Sequence, residues 1–190
     1  MKRKILTGVV IIITIGAVIA IPEITGQIKF NKAVNLIETG ALLECTEGVK
    51  YFSEIKTAKQ KQIIDFSNEF VNESCNNQDV DSADNYIRTA KKYDILPDTV
   101  LEELDSKIEY AEAEELERTN QYMDAYYAYK RLGNYEDSED KASNIFDNQK
   151  DIFYEKAIEN FNSGIKENVI QSKIQFEKMD GYEESDEYLK

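Results

Sequence analysis

The sequence predicts an all-α chain, with one N-terminal transmembrane helix followed by antiparallel helix pairs stacked as a short solenoid. Three observations point there. Apolar residues recur at steps of three and four almost everywhere after residue 26, the spacing of one helix face. The chain has only 8 Gly and 2 Pro, too few for the many turns of a sandwich or barrel. An uncharged apolar run over residues 5–21 stands directly behind Lys2, Arg3 and Lys4.

That run is interrupted only by Thr7, Gly8, Thr14 and Gly16, and Pro22 and Glu23 close it. A helix of this length spans about 25 Å, near the lower limit for a hydrocarbon core of about 30 Å. The three bases predict a cytoplasmic N-terminus and an external body. A cleaved signal peptide and a buried helix are the competing readings. The run is long for a signal peptide and has no A-x-A box, although Val18 and Ala20 are small. Residues 1–30 carry Lys2, Arg3, Lys4 and Lys29 against Glu23 alone, so the remainder holds the whole acidic excess of a chain with net charge -14. The domains read as 1–26, membrane anchor; 27–94, helical N-terminal part of the external body; and 95–190, repeats.

Val49, Phe52, Ile55, Ile63, Phe66 and Phe70 form one stripe and predict a single long helix over about 48–74. Cys45 and Cys75 flank it. Across a straight helix they lie about 40 Å apart, too far for a disulfide, so two thiols are expected. Cys75–Asp79 breaks the pattern. Val80, Ala83, Ile87 and Ala90 mark a shorter helix over 80–93. Pro97 suits the first turn of the next, which carries Val100, Leu101, Leu104, Ile108, Ala111 and Leu116. A helix over 121–132 stops at Gly133. Two more follow at 138–162 and 165–179, parted by Asn162-Ser163-Gly164.

The chain also resembles itself. Leu132-Gly133-Asn134-Tyr135-Glu136-Asp137-Ser138 aligns with Met179-Asp180-Gly181-Tyr182-Glu183-Glu184-Ser185 at a step of 47, and Ala90–Asp94 is a weaker copy. Each copy ends a short helix, turns and packs a Tyr. Asp137 and Ser138 are expected to cap the long helix that follows. Such a unit buries its apolar face only against neighbours. The structural motif residues are thus Gly133, Tyr135, Asp137, Ser138, Gly181, Tyr182 and Ser185. They look like the G-x-Y-x-D-S punctuation of degenerate tetratricopeptide-like repeats of low-GC Gram-positive bacteria. The segment 113–132 resembles the repeat itself, with Ala113 and Ala125 at its small positions and Tyr129 and Leu132 as packing residues. Val169 and Lys173 depart from it in the next copy. The likeness covers residues 90–190 and implies a non-catalytic protein-interaction scaffold.

The residue inventory agrees on chemistry. There is no His, and Cys occurs twice. Imidazole bases, Ser-His-Asp and Cys-His pairs and four-ligand zinc sites are therefore excluded. The acidic balance leaves no footprint for nucleic acid. Adjacent carboxylates such as Glu102-Glu103 read as solvated helix faces. Asp79–Asp84 begins like a calcium loop but lacks Gly at the sixth position and Glu at the twelfth, where Ala90 stands. No phosphate-binding Gly motif occurs. No catalytic residue, metal or cofactor is expected. Tyr122, Tyr126 and Tyr129 fall on one face of their helix, the core face, whereas Tyr127 points elsewhere and is the candidate partner contact. The expected partners are an envelope or membrane protein or a second copy of the chain, with the bilayer holding residues 5–21. The rival readings are an accessory subunit of a transport or secretion complex, acting through a Gly8/Gly16 seam in its membrane helix, and a cleaved secreted binding protein.

Overall fold

The computed structural model describes residues 22–39, 41–179 and 181–190. The described residues are helical with no strand. Helix α1 covers 22–38, followed by α2 (Leu42–Asn76), α3 (Val80–Lys92), α4 (Asp98–Arg118), α5 (Tyr122–Leu132), α6 (Ser138–Asn148), α7 (Lys150–Asn162) and α8 (Lys166–Met179); a 3₁₀ turn, Ser185–Glu187, comes last. The predicted anchor, residues 5–21, lies outside the described residues. Among the described residues no helix is long and apolar enough to cross a membrane. Residues 22–26, assigned to the anchor by sequence, open α1, and Gly26 is buried. The chain forms two compact units that divide within α4, up to Ile108 and from Glu109 on, so the sequence boundary at 94/95 falls inside the first.

In the first unit the expected straight helix over 48–74 is folded. Lys59 leaves helical geometry (φ -125°, ψ 18°). Phe52 and Phe66 are 14 residues apart, about 21 Å along a straight helix. Their ring centroids are 5.5 Å apart. Two arms of seven residues meet that closely only when the chain doubles back between them. The thiols of Cys45 and Cys75 remain, but the length argument for them does not. The reversal has a packing cause. Phe52 and Phe66 close on each other and on Phe30 of α1, at 5.3 and 6.5 Å, so all three rings leave water together.

α1 runs antiparallel to the first arm. Lys29 pairs with Glu54 at 2.5 Å, and the Lys32 ammonium donates to the Tyr51 hydroxyl at 2.6 Å. Gly48 permits the close approach: a Cβ there would stand 2.7 Å from the Ala33 carbonyl oxygen and from Ile37. α1 and the second arm run the same way, since Phe30 meets Phe66 while Glu38 and Glu73 line the same recess further along. α3 returns along the second arm and buries Tyr86, whose hydroxyl lies 2.5 Å from Ser67 Oγ. The first part of α4 completes this core with Leu101, Leu104 and Ile108.

In the second unit α5 packs on α6, and α7 pairs with α8. The predicted helix 138–162 is interrupted at Gln149 (φ -126°, ψ 33°). The bend lets Phe146 and Phe153 come to 5.0 Å and both face Tyr126. The repeat is visible in the backbone. Gln78, Asn120 and Gly164 have φ of 62°, 61° and 69°, and each stands in a turn between two successive helices. The residues after Tyr93, Tyr135 and Tyr182, namely Asp94, Glu136 and Glu183, have φ of 50°, 46° and 48°. In the last two copies the bonds match as well. Tyr135 N–H donates to Leu132 O and Ser138 N–H to Tyr135 O; Tyr182 N–H donates to Met179 O and Ser185 N–H to Tyr182 O. In the first copy Asp94 instead closes α3, with Ile95 N–H reaching Ala90 O.

The expected cap is absent. Asp137 precedes α6 without a side-chain capping bond, because its carboxylate accepts the Tyr110 hydroxyl. Ser138 and Ser185 are fully buried, and neither hydroxyl has a hydrogen-bond partner among the described residues.

Candidate functional site

The tyrosines sort as their helix spacing dictates. In α5, Tyr126 and Tyr129 are buried, Tyr122 is half-buried and Tyr127 is 44% exposed. Tyr127 is not a free surface ring. It stands edge-on to Tyr126 at 5.1 Å, and its hydroxyl accepts from the Gln175 side-chain amide of α8 at 3.2 Å. Tyr129 donates to the Glu117 carboxylate at 3.0 Å, and the same oxygen accepts Lys141 at 3.1 Å. Burial, then the Glu117 bond, raises the Tyr129 phenol above its ordinary value. It is a neutral donor holding α4, α5 and α6 together.

The motif tyrosines belong to repeated ring clusters. Tyr110 lies 5.7 Å from Tyr129 and 5.9 Å from Tyr135. Tyr154 lies 5.9 Å from Phe176 and from Tyr182. Both motif rings are half-buried. Gly133 and Gly181 have positive φ, 59° and 73°, and shape the turns that carry them. Tyr110 and Tyr154 were not singled out from sequence. Their signal was a step of 44 that matches neither 47 nor the helical period.

Among the described residues no group of three or more His, Cys, Asp or Glu side chains could hold a metal ion. In the calcium-like stretch, Asp79 accepts Ser82 N–H at 3.3 Å as the cap of α3, and Asp84 pairs with Arg88 at 2.6 Å.

Between α1 and the second arm of α2 lies an open groove of about 470 Å³. Phe30, Val34, Phe66 and Phe70 floor it, all half-buried. Phe66 and Phe70 stack at 5.8 Å, and Phe30 meets Phe66 edge-on. Glu38, Asp65, Glu69 and Glu73 rim it, all exposed. None of the four is in an ion pair among the described residues. Four lysines of the first unit are engaged elsewhere: Lys29 with Glu54, Lys56 with Asp94, Lys59 with Glu23, Lys91 with Asp105. Helical spacing makes the groove. Phe30, Val34 and Glu38 follow at steps of four on α1, as do Asp65, Glu69 and Glu73 on α2, beside Phe66 and Phe70. The α2 face was legible in the sequence. The groove was not, because Phe66 and Phe70 read as core of a straight helix.

Compared with known proteins, the chain matches no family model, no curated protein and no solved structure.

Proposed function

We propose that the protein is a membrane-anchored, extracytoplasmic helical scaffold that binds another protein and carries out no catalysis. In this reading residues 5–21 hold it in the bilayer with Lys2-Arg3-Lys4 inside, and tetratricopeptide-like helix pairs form the body outside. The observation that carries the reading is the recurrence of antiparallel helix pairs with left-handed residues in matched turns. Elements repeated in this way build extended surface, which is what partner binding needs. Chemistry needs a convergent cluster, and the tyrosines above are spent on packing and hydrogen bonds, as Asp79 is on a cap and Asp84 on an ion pair. Glu23, two residues past the apolar run, is bonded to Lys59 at the reversal of α2, and the groove begins about one turn beyond that reversal, at Gln62.

Two measurements test the reading. External protease on wall-stripped cells should degrade residues 27–190; full protection refutes the topology. Photo-crosslinkers placed at exposed positions of both units, in the full chain in its own cells, should trap a protein partner; absence of protein adducts from every position refutes the scaffold.

A further inference from the structure

We infer that the groove between α1 and the second arm of α2 is the docking site for a basic amphipathic helix of a partner protein. The inference rests on the scaffold reading and names the surface and the partner's chemistry. The groove follows α2 from Gln62 to Glu73, eleven residues and about 16 Å, or some three helical turns. Spread over that length, about 470 Å³ admits one row of side chains rather than a whole helix. The fitting occupant therefore lays an apolar stripe, at steps of three and four, onto Phe30, Val34, Phe66 and Phe70. Its own backbone stays above the rim, where its flanking residues meet Glu38, Asp65, Glu69 and Glu73.

Charge selects the sign of those flanks. None of the four rim carboxylates is in an ion pair among the described residues; Asp65, Glu69 and Glu73 repel one another in a row along α2, with Glu38 across the groove on α1. Lys or Arg on the arriving helix relieves that repulsion. Arg or Lys also finds the faces of half-buried Phe rings, which attract cations. A second copy of this chain is a poor occupant, because its net charge of -14 opposes the rim. A small organic cation fills one end of the groove and leaves most of the apolar floor wet.

The test uses the full chain in neutral detergent. The probe is a fluorescent synthetic helix of four turns with Leu along one face and Lys on both flanks. Its control carries Glu in place of Lys. Binding of the Lys helix is read by anisotropy at low and high salt. Expected are saturable binding of the Lys helix alone, weakening as salt rises, and a loss of at least about tenfold in affinity for the double variant Asp65→Lys/Glu69→Lys. Both positions are exposed, so circular dichroism of the variant should match the parent. Absent binding, equal binding of the Glu helix, or an unchanged variant overturns the inference. So does self-association that the double variant abolishes, which makes the occupant a second copy. Full displacement of the peptide by tetramethylammonium makes it a small cation and overturns it as well. If the peptide fails while photo-crosslinks form from other surfaces, the groove falls and the scaffold stands. If no crosslink forms anywhere, both fall.

Discussion

Lys59, the residue at which α2 reverses, is bonded through its ammonium to the carboxylate of Glu23, 36 residues earlier. Gln27 accepts the same ammonium at 3.2 Å. The Lys59 side chain is 6% exposed, whereas Glu23 remains 68% exposed. A cation has thus been drawn under the surface at a backbone break, and its partner comes from another helix.

Removing that partner should matter more than removing the pair. Glu23→Ala leaves an ammonium nearly out of water with Gln27 alone, and should destabilise the fold by about 1–2 kcal/mol. Lys59→Met replaces the charge by apolar volume and should stay within about 1 kcal/mol of the parent. Urea unfolding of the two variants measures both. A Lys59→Met protein less stable than Glu23→Ala means that the charge is needed to make the reversal.

The reversal shows what periodicity can and cannot carry. Phe52, Lys59 and Phe66 are spaced by seven, two helical turns, so the apolar stripe stays in phase across the break. A straight helix lying on a core and a doubled helix enclosing one bury the same residues. No Gly or Pro stands near 59 to announce a bend. The all-helical class, the ends of α3, α5 and α8 and the copies at 132–138 and 179–185 were legible, because each rests on local signals. The groove needs Phe30 and Phe66 side by side, and local signals do not encode which helices meet. The cap at Asp137 failed for a related reason: Tyr110, 27 residues earlier, competes for the carboxylate.

Ser138 makes the point measurable. Its hydroxyl is fully buried without a partner, so it costs desolvation and returns no capping bond. Ser138→Ala should leave the melting midpoint unchanged or raise it, by up to about 1 kcal/mol of stability. A helix cap removed would instead cost about 1 kcal/mol. Thermal unfolding followed by circular dichroism separates the two by sign.

The two thiols should differ in reactivity. Cys45 is buried, and desolvation pushes its thiol up to about 11, which leaves almost no thiolate near neutral pH. Cys75 is half-buried. Alkylation at pH near 8 should modify Cys75 first and Cys45 only as the fold opens, with both reacting together in guanidinium. Mass spectrometry of tryptic peptides over time reads the order. Equal rates in the native protein mean that the first arm of α2 opens freely.

Alkali should unfold the first unit through Tyr86. Burial raises its phenol well above the usual tyrosine value, a rise partly offset by the Ser67 contact. The folded state therefore holds a proton that the unfolded state releases near pH 10. The stability tied to that proton is complete below about pH 10 and declines above it. Denaturant midpoints at pH 8 and near pH 11 should show the fall, and Tyr86→Phe should reduce it. An equal fall in Tyr86→Phe assigns the alkaline loss to other groups.

The matched turns at 132–138 and 179–185 have a genetic consequence. Ser138 leads into Glu139, and Ser185 ends a turn with the same bonds and with a left-handed residue, Glu183, two positions before it, as Glu136 stands two before Ser138. A tandem duplication that places a second copy of residues 139–185 directly after Ser185 thus meets, at its junction, a backbone already shaped for it. Loss of one such block leaves an equally well-formed joint. Array length is then free to drift by whole blocks of 47 residues, each event preserving reading frame and fold together.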